Sequence, residues 1–195
     1  MRAFLAIELY DKSGDLLFKQ KKPVRSFLYN WTKALYGLSY GDCQSQAATL
    51  KDTGGTDRAY PNLYNENRPV FRFTSVEGET TFGILVGNGT TEVTLDDYNL
   101  ASKIAHGTGA GQLYYYETNT HHYTDSDRSY LEVYRLLLNK SSSNVTVSEV
   151  GLAFYEMDVS GSTYFFLILR DLVDPAVTVE PAQTLQVKYI FEFLL

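Results

Sequence analysis

The sequence predicts an all-β chain: an antiparallel β-sandwich, jelly-roll-like, with one short N-terminal helix. Three observations predict it. Apolar and polar residues alternate over several separate stretches, the period of two that turns one strand face to a core. Clusters of Gly, Asn, Ser and Asp divide these stretches, as turns divide the strands of a sandwich or barrel. Strand-like and helix-like stretches do not take turns along the chain, which disfavours a parallel α/β sheet. With 195 residues, 44% of them hydrophobic, the chain closes a sizeable core without a metal or disulfide. The expected organisation is one β domain over 1–195. A hairpin and helix occupy about 1–40, a long loop about 41–69 and the main sandwich about 70–195.

The elements follow in order. Leu5, Ile7 and Leu9 alternate with Ala6, Glu8 and Tyr10, then Asp11-Lys12-Ser13-Gly14-Asp15 supplies turn chemistry and Leu16-Leu17-Phe18-Lys19 returns as a second strand. Pro23 suits the first turn of a helix. Val24, Phe27, Leu28, Trp31 and Leu35 recur at helical spacing, with Trp31 a core anchor and Gly37 a left-handed stop. Residues 41–69 are polar and aperiodic, the composition of a functional or mobile loop. Within them Gly54-Gly55 lacks the Lys and the helix that a phosphate cradle needs. Strands are then expected over residues 70–74, 81–86, 113–116, 130–138, 145–155, 164–169 and 185–193. In the last, Leu185, Val187, Tyr189, Phe191 and Phe193 share one face, which places this strand inside a sheet.

Composition narrows the function. The net charge is −6, and the one basic block, Lys19-Gln20-Lys21-Lys22, reads as a solvated turn, so nucleic-acid binding is disfavoured. Cys43 is the lone cysteine, which excludes an intrachain disulfide. The apolar run at the start is broken by Glu8, and no stretch reaches the ~20 apolar residues of a membrane helix. The expectation is therefore neither secretion by this route nor membrane insertion. Sixteen tyrosines against one tryptophan suit strands and protein contacts equally.

Candidate chemical groups are few. His121-His122, with His106 farther back, sit on opposite strand faces and lack a third ligand at metal spacing. Asp125-Ser126-Asp127 and Asp96-Asp97 lack the calcium-loop pattern, and Asp125 and Asp127 read as turn caps. Glu77, Glu79, Glu92 and Asp97 are the carboxylates a glycosidase would need in convergent pairs, and sequence does not place them. Cys43 has no nearby histidine, and no Gly-x-Ser-x-Gly elbow occurs. The Asn30, Asn88, Asn139 and Asn144 acceptor patterns read as incidental. No residue is assigned a catalytic, cofactor or metal role.

One resemblance runs through the order of several segments. These are Lys51-Asp52-Thr53-Gly54-Gly55, the run Thr81-Phe82-Gly83-Ile84-Leu85-Val86-Gly87-Asn88-Gly89-Thr90-Thr91, then Asp96-Asp97-Tyr98-Asn99-Leu100 and Ile104-Ala105-His106-Gly107. Val147-Ser148-Glu149-Val150-Gly151-Leu152, Leu169-Arg170-Asp171 and residues 179–193 follow. The order resembles a loosely defined set of structural proteins of tailed bacterial and archaeal viruses, in which a G-x-G-T-T turn, a D-x-x-L segment, a V-x-E-x-G-L strand and two closing strands succeed one another. The resemblance implies a β-rich virion component, of capsid-decoration, tail or fibre type, with no catalytic residues to carry over. Its implied partners are further copies of itself and other virion proteins such as the major capsid or tail protein. Its place would be the virion, after synthesis in the host cytoplasm. Residues 41–69 and the Leu113-Tyr114-Tyr115-Tyr116 strand are the expected contact surfaces. The alternatives are a carbohydrate-binding β-sandwich for host attachment, where a glycan is the partner, and a hydrolase. On the residues themselves, Gly87 and Gly89 permit a tight turn around Asn88. Val150, Leu152 and Phe154 share a strand face with Glu149 opposite.

Overall fold

The computed structural model describes residues 1–39, 48–60, 71–157 and 162–194. β1 (Arg2–Tyr10) and β2 (Leu16–Pro23) form the expected hairpin. Asp11 Oδ1 accepts the amides of Ser13 and Asp15, and Gly14 takes a φ of 88°, the left-handed conformation that glycine adopts without strain. The basic block lies in edge strand β2 rather than in a turn.

The helix α1 (Tyr29–Ser39) starts later than its apolar spacing suggests. Pro23 closes β2 opposite Phe4, and residues 24–28 form neither helix nor continuous strand. The Leu28 N–H donates to the Ile168 C=O at 3.0 Å, and Phe27 bridges Leu169. Val24 and Leu28 are thus buried, and Phe27 partly so, from a non-helical segment, a pattern that mimics helical spacing over so short a run. Gly37 lies buried inside the helix rather than ending it, and Leu35 is exposed. Trp31 does anchor to the core, with ring centroids 5.4 Å from Phe27 and 6.0 Å from Phe191.

Part of the expected long loop is ordered as a hairpin, β3 (Ala48–Lys51) with β4 (Asp57–Tyr60). Asp52 builds its turn. Oδ1 accepts the amides of Gly54 and Thr56, and Arg58 Nε donates to Oδ2 at 2.7 Å. Residues 41–47 and 61–69, with Cys43, lie outside the described residues. Residues 71–74 are not a strand. Arg72 makes an isolated bridge to Tyr155, and Phe71 sits at a φ of 54°.

The remaining strands are β5 (Gly83–Gly87), β6 (Tyr114–Thr124), β7 (Arg128–Leu138), β8 (Val145–Met157), β9 (Thr163–Val179) and β10 (Thr184–Leu194). They fall where alternation predicts them, but β6 and β9 run well past the expected 113–116 and 164–169. β9 passes straight through Arg170-Asp171, because both charges are held inside the protein.

The fold is thus largely β, in three antiparallel sheets: β2-β1-β10-β7-β6, β5-β8-β9 and β3-β4. β10 lies between β1 and β7, inside the largest sheet. Leu185, Val187, Tyr189 and Phe191 are at most 2% exposed, whereas Phe193, the expected fifth member, is 45% exposed beyond the core. One hydrophobic cluster draws on both larger sheets, with Leu5, Ile7 and Val187 meeting Leu152, Phe154 and Ile168. Across it the Tyr189 hydroxyl donates to the Val150 C=O at 3.3 Å. A smaller cluster of Leu28, Phe82, Leu85, Leu100, Ala153 and Leu167 packs separately.

Candidate functional site

The segments that carry the resemblance meet at one buried node. Glu149, on β8, is 0% exposed, opposite the core-facing Val150 and Leu152. A carboxylate there needs several donors to offset its lost hydration. It has four: the amides of Gly89, Ala101 and Ser102 at 3.1, 3.0 and 2.7 Å, and Arg170 Nε at 2.8 Å. Arg170, on β9 and 2% exposed, extends Nη1 to Asp97 at 2.7 Å and Nη2 to the Thr91 carbonyl and hydroxyl at 3.0 and 2.9 Å. Burial lowers the affinity of this guanidinium for its proton, but the hydrogen bonds to Asp97 and Glu149 outweigh burial and leave its pKa raised.

Gly87 and Gly89 serve this node by absence of a side chain. Neither has a positive φ. A Cβ on Gly89 would stand 2.4 Å from Glu149 Oε1, and one on Gly87 would stand 2.5 Å from the same atom. The requirement is close approach of backbone to carboxylate, not a tight turn. Asp97 also accepts from the Thr94 amide and hydroxyl, Asn99 donates to the Thr53 C=O, and the Tyr29 N–H donates to the Leu95 C=O. The 88–102 segment is therefore tied to α1, to the β3–β4 hairpin and to both strands that carry the node. Two carboxylates do converge here, on separate arms of one guanidinium. Beside them lies an open recess lined by Thr91, Thr94, Asp96, Asp97, Asn99 and Arg170.

A second buried cation sits where β6 bulges between Tyr115 and Thr118. Arg135, 0% exposed, donates to the carbonyls of Tyr116, Ile84 and Glu79 at 2.7, 2.9 and 2.7 Å and lies 4.7 Å from the Tyr115 ring centroid. No carboxylate joins it in a salt bridge among the described residues. Burial pushes its pKa down to about 10.

The other candidates separate. His106 Nδ1 accepts the Tyr115 amide, and His122 Nε2 is 3.0 Å from Ser129 Oγ. His121 stands exposed on β6 opposite Glu132. Among the described residues no group of three or more His, Cys, Asp or Glu is placed to hold a metal. Asp125 caps the β6–β7 turn by accepting the Asp127 amide, so of the two expected caps Asp127 is the donor. Glu79 binds the Thr81 amide and hydroxyl, Tyr114 donates to Glu77, and Glu92 offers its carbonyl to Arg170. Asn30 and Asn139 are buried, and their side chains bond backbone atoms. In the tyrosine-rich stretch Leu113 and Tyr115 are core residues. Only Tyr114 and Tyr116 face outward, both beside Lys140.

The outer face of the five-stranded sheet carries a line of alternating charge across four strands. Lys19 lies 2.8 Å from Glu8, Glu8 lies 3.4 Å from Lys188, and Lys188 lies 3.7 Å from Glu132. Burial works against the Glu8 charge, but hydrogen bonds from Lys19 and Tyr10 and the Lys188 charge hold its pKa at about 2. A recess on this face is lined by Thr120, His121, Glu132, Tyr134, Gln186 and Lys188. Among the described residues no helix is long and apolar enough to cross a membrane.

The pairing of Glu149 with Arg170 does not show in the sequence pattern. The signal the sequence does carry is Glu149 on the strand face opposite Val150, Leu152 and Phe154, with Gly151 two positions on. No protein-family model, curated protein or solved structure matches this chain.

Proposed function

We propose that the chain is a non-enzymatic structural protein of a virus particle that acts through contacts with copies of itself and with other coat, tail or fibre proteins. In this reading the two larger sheets are the halves of a β-sandwich of jelly-roll type. The observation that carries the proposal is the node. The G-x-G-T-T, D-x-x-L, V-x-E-x-G-L and L-R-D segments, on which the resemblance rests, bond to one another around Glu149 and Arg170. Residues joined in this way hold a loop against two strands, a task of architecture rather than of turnover. Mass spectrometry of fractionated particles tests the proposal. The chain should co-purify with capsid or tail at fixed stoichiometry, and its absence from purified particles would refute the reading.

A carbohydrate-binding role in host attachment is the second reading, favoured by the outer sheet face. There Tyr134 and His121 stand beside Glu132, Gln186 and Lys188 in one recess, joining aromatic surface to hydrogen-bonding groups as sugar sites do. Glycan-array binding by the isolated chain, lost in Tyr134→Ala, is the outcome that would favour it.

A further inference from the structure

A β-sheet edge presents unpaired N–H and C=O groups, and proteins that stay apart blunt such edges with lysine, proline, bulges or covering segments. The two larger sheets have four edges, β2, β6, β5 and β9, and three are blunted along their length. β2 carries Lys19, Lys21, Lys22 and Pro23. β5 is covered by the following chain, with the Ile104 N–H on the Val86 C=O at 3.0 Å and the Asn88 N–H on the Ser102 C=O at 2.8 Å. β9 receives the Leu28 and Thr53 amides along its first half. Its second half contains Pro175 and accepts the Gln20 and Asn139 side chains.

The fourth edge differs. The first part of β6 is closed by residues 75–78, since Ser75 and Thr118 exchange both backbone bonds and the Gly78 N–H reaches the Tyr115 C=O. Beyond Thr118, residues 119–124 pair only with β7 among the described residues. They read Asn-Thr-His-His-Tyr-Thr, with no lysine, arginine, proline, glycine or bulge, and 120–124 are exposed. Among the described residues this edge is open, and Thr120, Tyr123 and Thr124 favour a strand.

We infer that this edge is the docking site for β6 of a second copy, joining two five-stranded sheets into one continuous sheet across a two-fold axis. The backbone phase constrains the register. The Asp125 N–H donates to the Arg128 C=O at 2.9 Å. By the alternation of an antiparallel ladder, Tyr123, His121 and Asn119 then bond to β7, while Thr124, His122 and Thr120 turn their groups outward. Outward residues must face outward residues, which centres at His121, His122 and Tyr123 all allow. The centre at His122 pairs the most outward residues clear of Thr118, with Thr120 opposite Thr124 of the second copy and His121 opposite Tyr123. A centre at His121 would run the partner strand onto Thr118, which Ser75 already occupies. The register at His122 places no charged residue opposite a like charge and matches Thr with Thr and aromatic with aromatic, pairs that stabilise sheets. A second copy therefore fits this edge by the strand's own self-complementarity.

The inference rests on the self-association part of the proposed function and sharpens it to one strand. Light scattering on the full chain over a concentration series should give twice the 22.1 kDa chain mass. His122→Pro, which removes an outward donor, and Thr120→Lys, which blunts the edge without touching the backbone, should each give the monomer mass with an unchanged circular dichroism spectrum. In a Cys43→Ser background, His122→Cys should oxidise to a symmetric intermolecular disulfide. Thr124→Cys should not, because two copies of that residue would lie about 13 Å apart along the strands. Self-association as strong in both edge variants as in wild type would overturn the β6 assignment and leave self-assembly standing. Wild type that stays monomeric throughout would overturn both. Particle fractionation tests the virion role independently of either result.

Discussion

Arg170 and Arg135 are both fully buried, and the protein accommodates them in opposite ways. Arg170 lies between two carboxylates, and the attraction outweighs its desolvation, so its pKa is raised. Arg135 has carbonyls and an aromatic face around it, desolvation prevails, and its pKa falls to about 10. One site is a counter-ion clamp between a loop and two strands. The other is a hub of donors that satisfies carbonyls released where β6 bulges. A buried pair is costly to break because the surviving charge is stranded, whereas removing a cation that makes no salt bridge among the described residues leaves mainly neutral acceptors behind.

That contrast predicts unequal consequences. Glu149→Ala should have the largest effect, because it leaves three amides without their acceptor and removes one of the two counter-charges of Arg170. A loss of about 3–5 kcal/mol is expected in urea unfolding. Arg135→Met should cost less, about 1–3 kcal/mol by the same measurement, since carbonyls are orphaned but no charge is left behind. Equal losses would break the distinction.

The smallest effect belongs to the charge line on the outer sheet face, where Glu8 is buried but its partner Lys19 reaches solvent. The pKa of Glu8 is about 2, below its ordinary 4.5. Its contribution is therefore present above pH 4.5 and lost as pH falls from 4.5 towards 2. Glu8→Gln should cost about 1–2 kcal/mol at pH 7, less than the full shift implies because Lys19 is screened by solvent. It should also flatten the decline of wild-type stability across that acid window, measured by thermal melts at successive pH values.

What the sequence made legible follows the same divide. Strands that bury one face on the shared core, such as β8 with Val150, Leu152 and Phe154 or β10 with Val187 and Tyr189, announce themselves by alternation. Features held by polar side chains do not. The β3–β4 hairpin depends on Asp52 and on Asn30, which bonds both backbone groups of Lys51 from α1, and neither partner shows in a hydrophobic pattern. The helix start is obscured because Val24 and Leu28 are buried from a segment that precedes the helix. Phe193 continues the β10 alternation past the point where the core ends. Of the candidate site, the segments were visible but their meeting was not. Contact between residues 89, 97, 149 and 170 is a property of sheet topology, which periodicity does not encode.

The central claim is that the buried charges Glu149 and Arg170 brace the fold. A double-mutant cycle on Glu149→Gln and Arg170→Met, read by urea unfolding together with hydrogen exchange of the 88–102 amides, tests it most directly. The account predicts a coupling energy of about 2–3 kcal/mol, with faster exchange at Gly89, Ala101 and Ser102 in each single variant. Additive changes, with exchange at those amides as slow as in wild type, would contradict it.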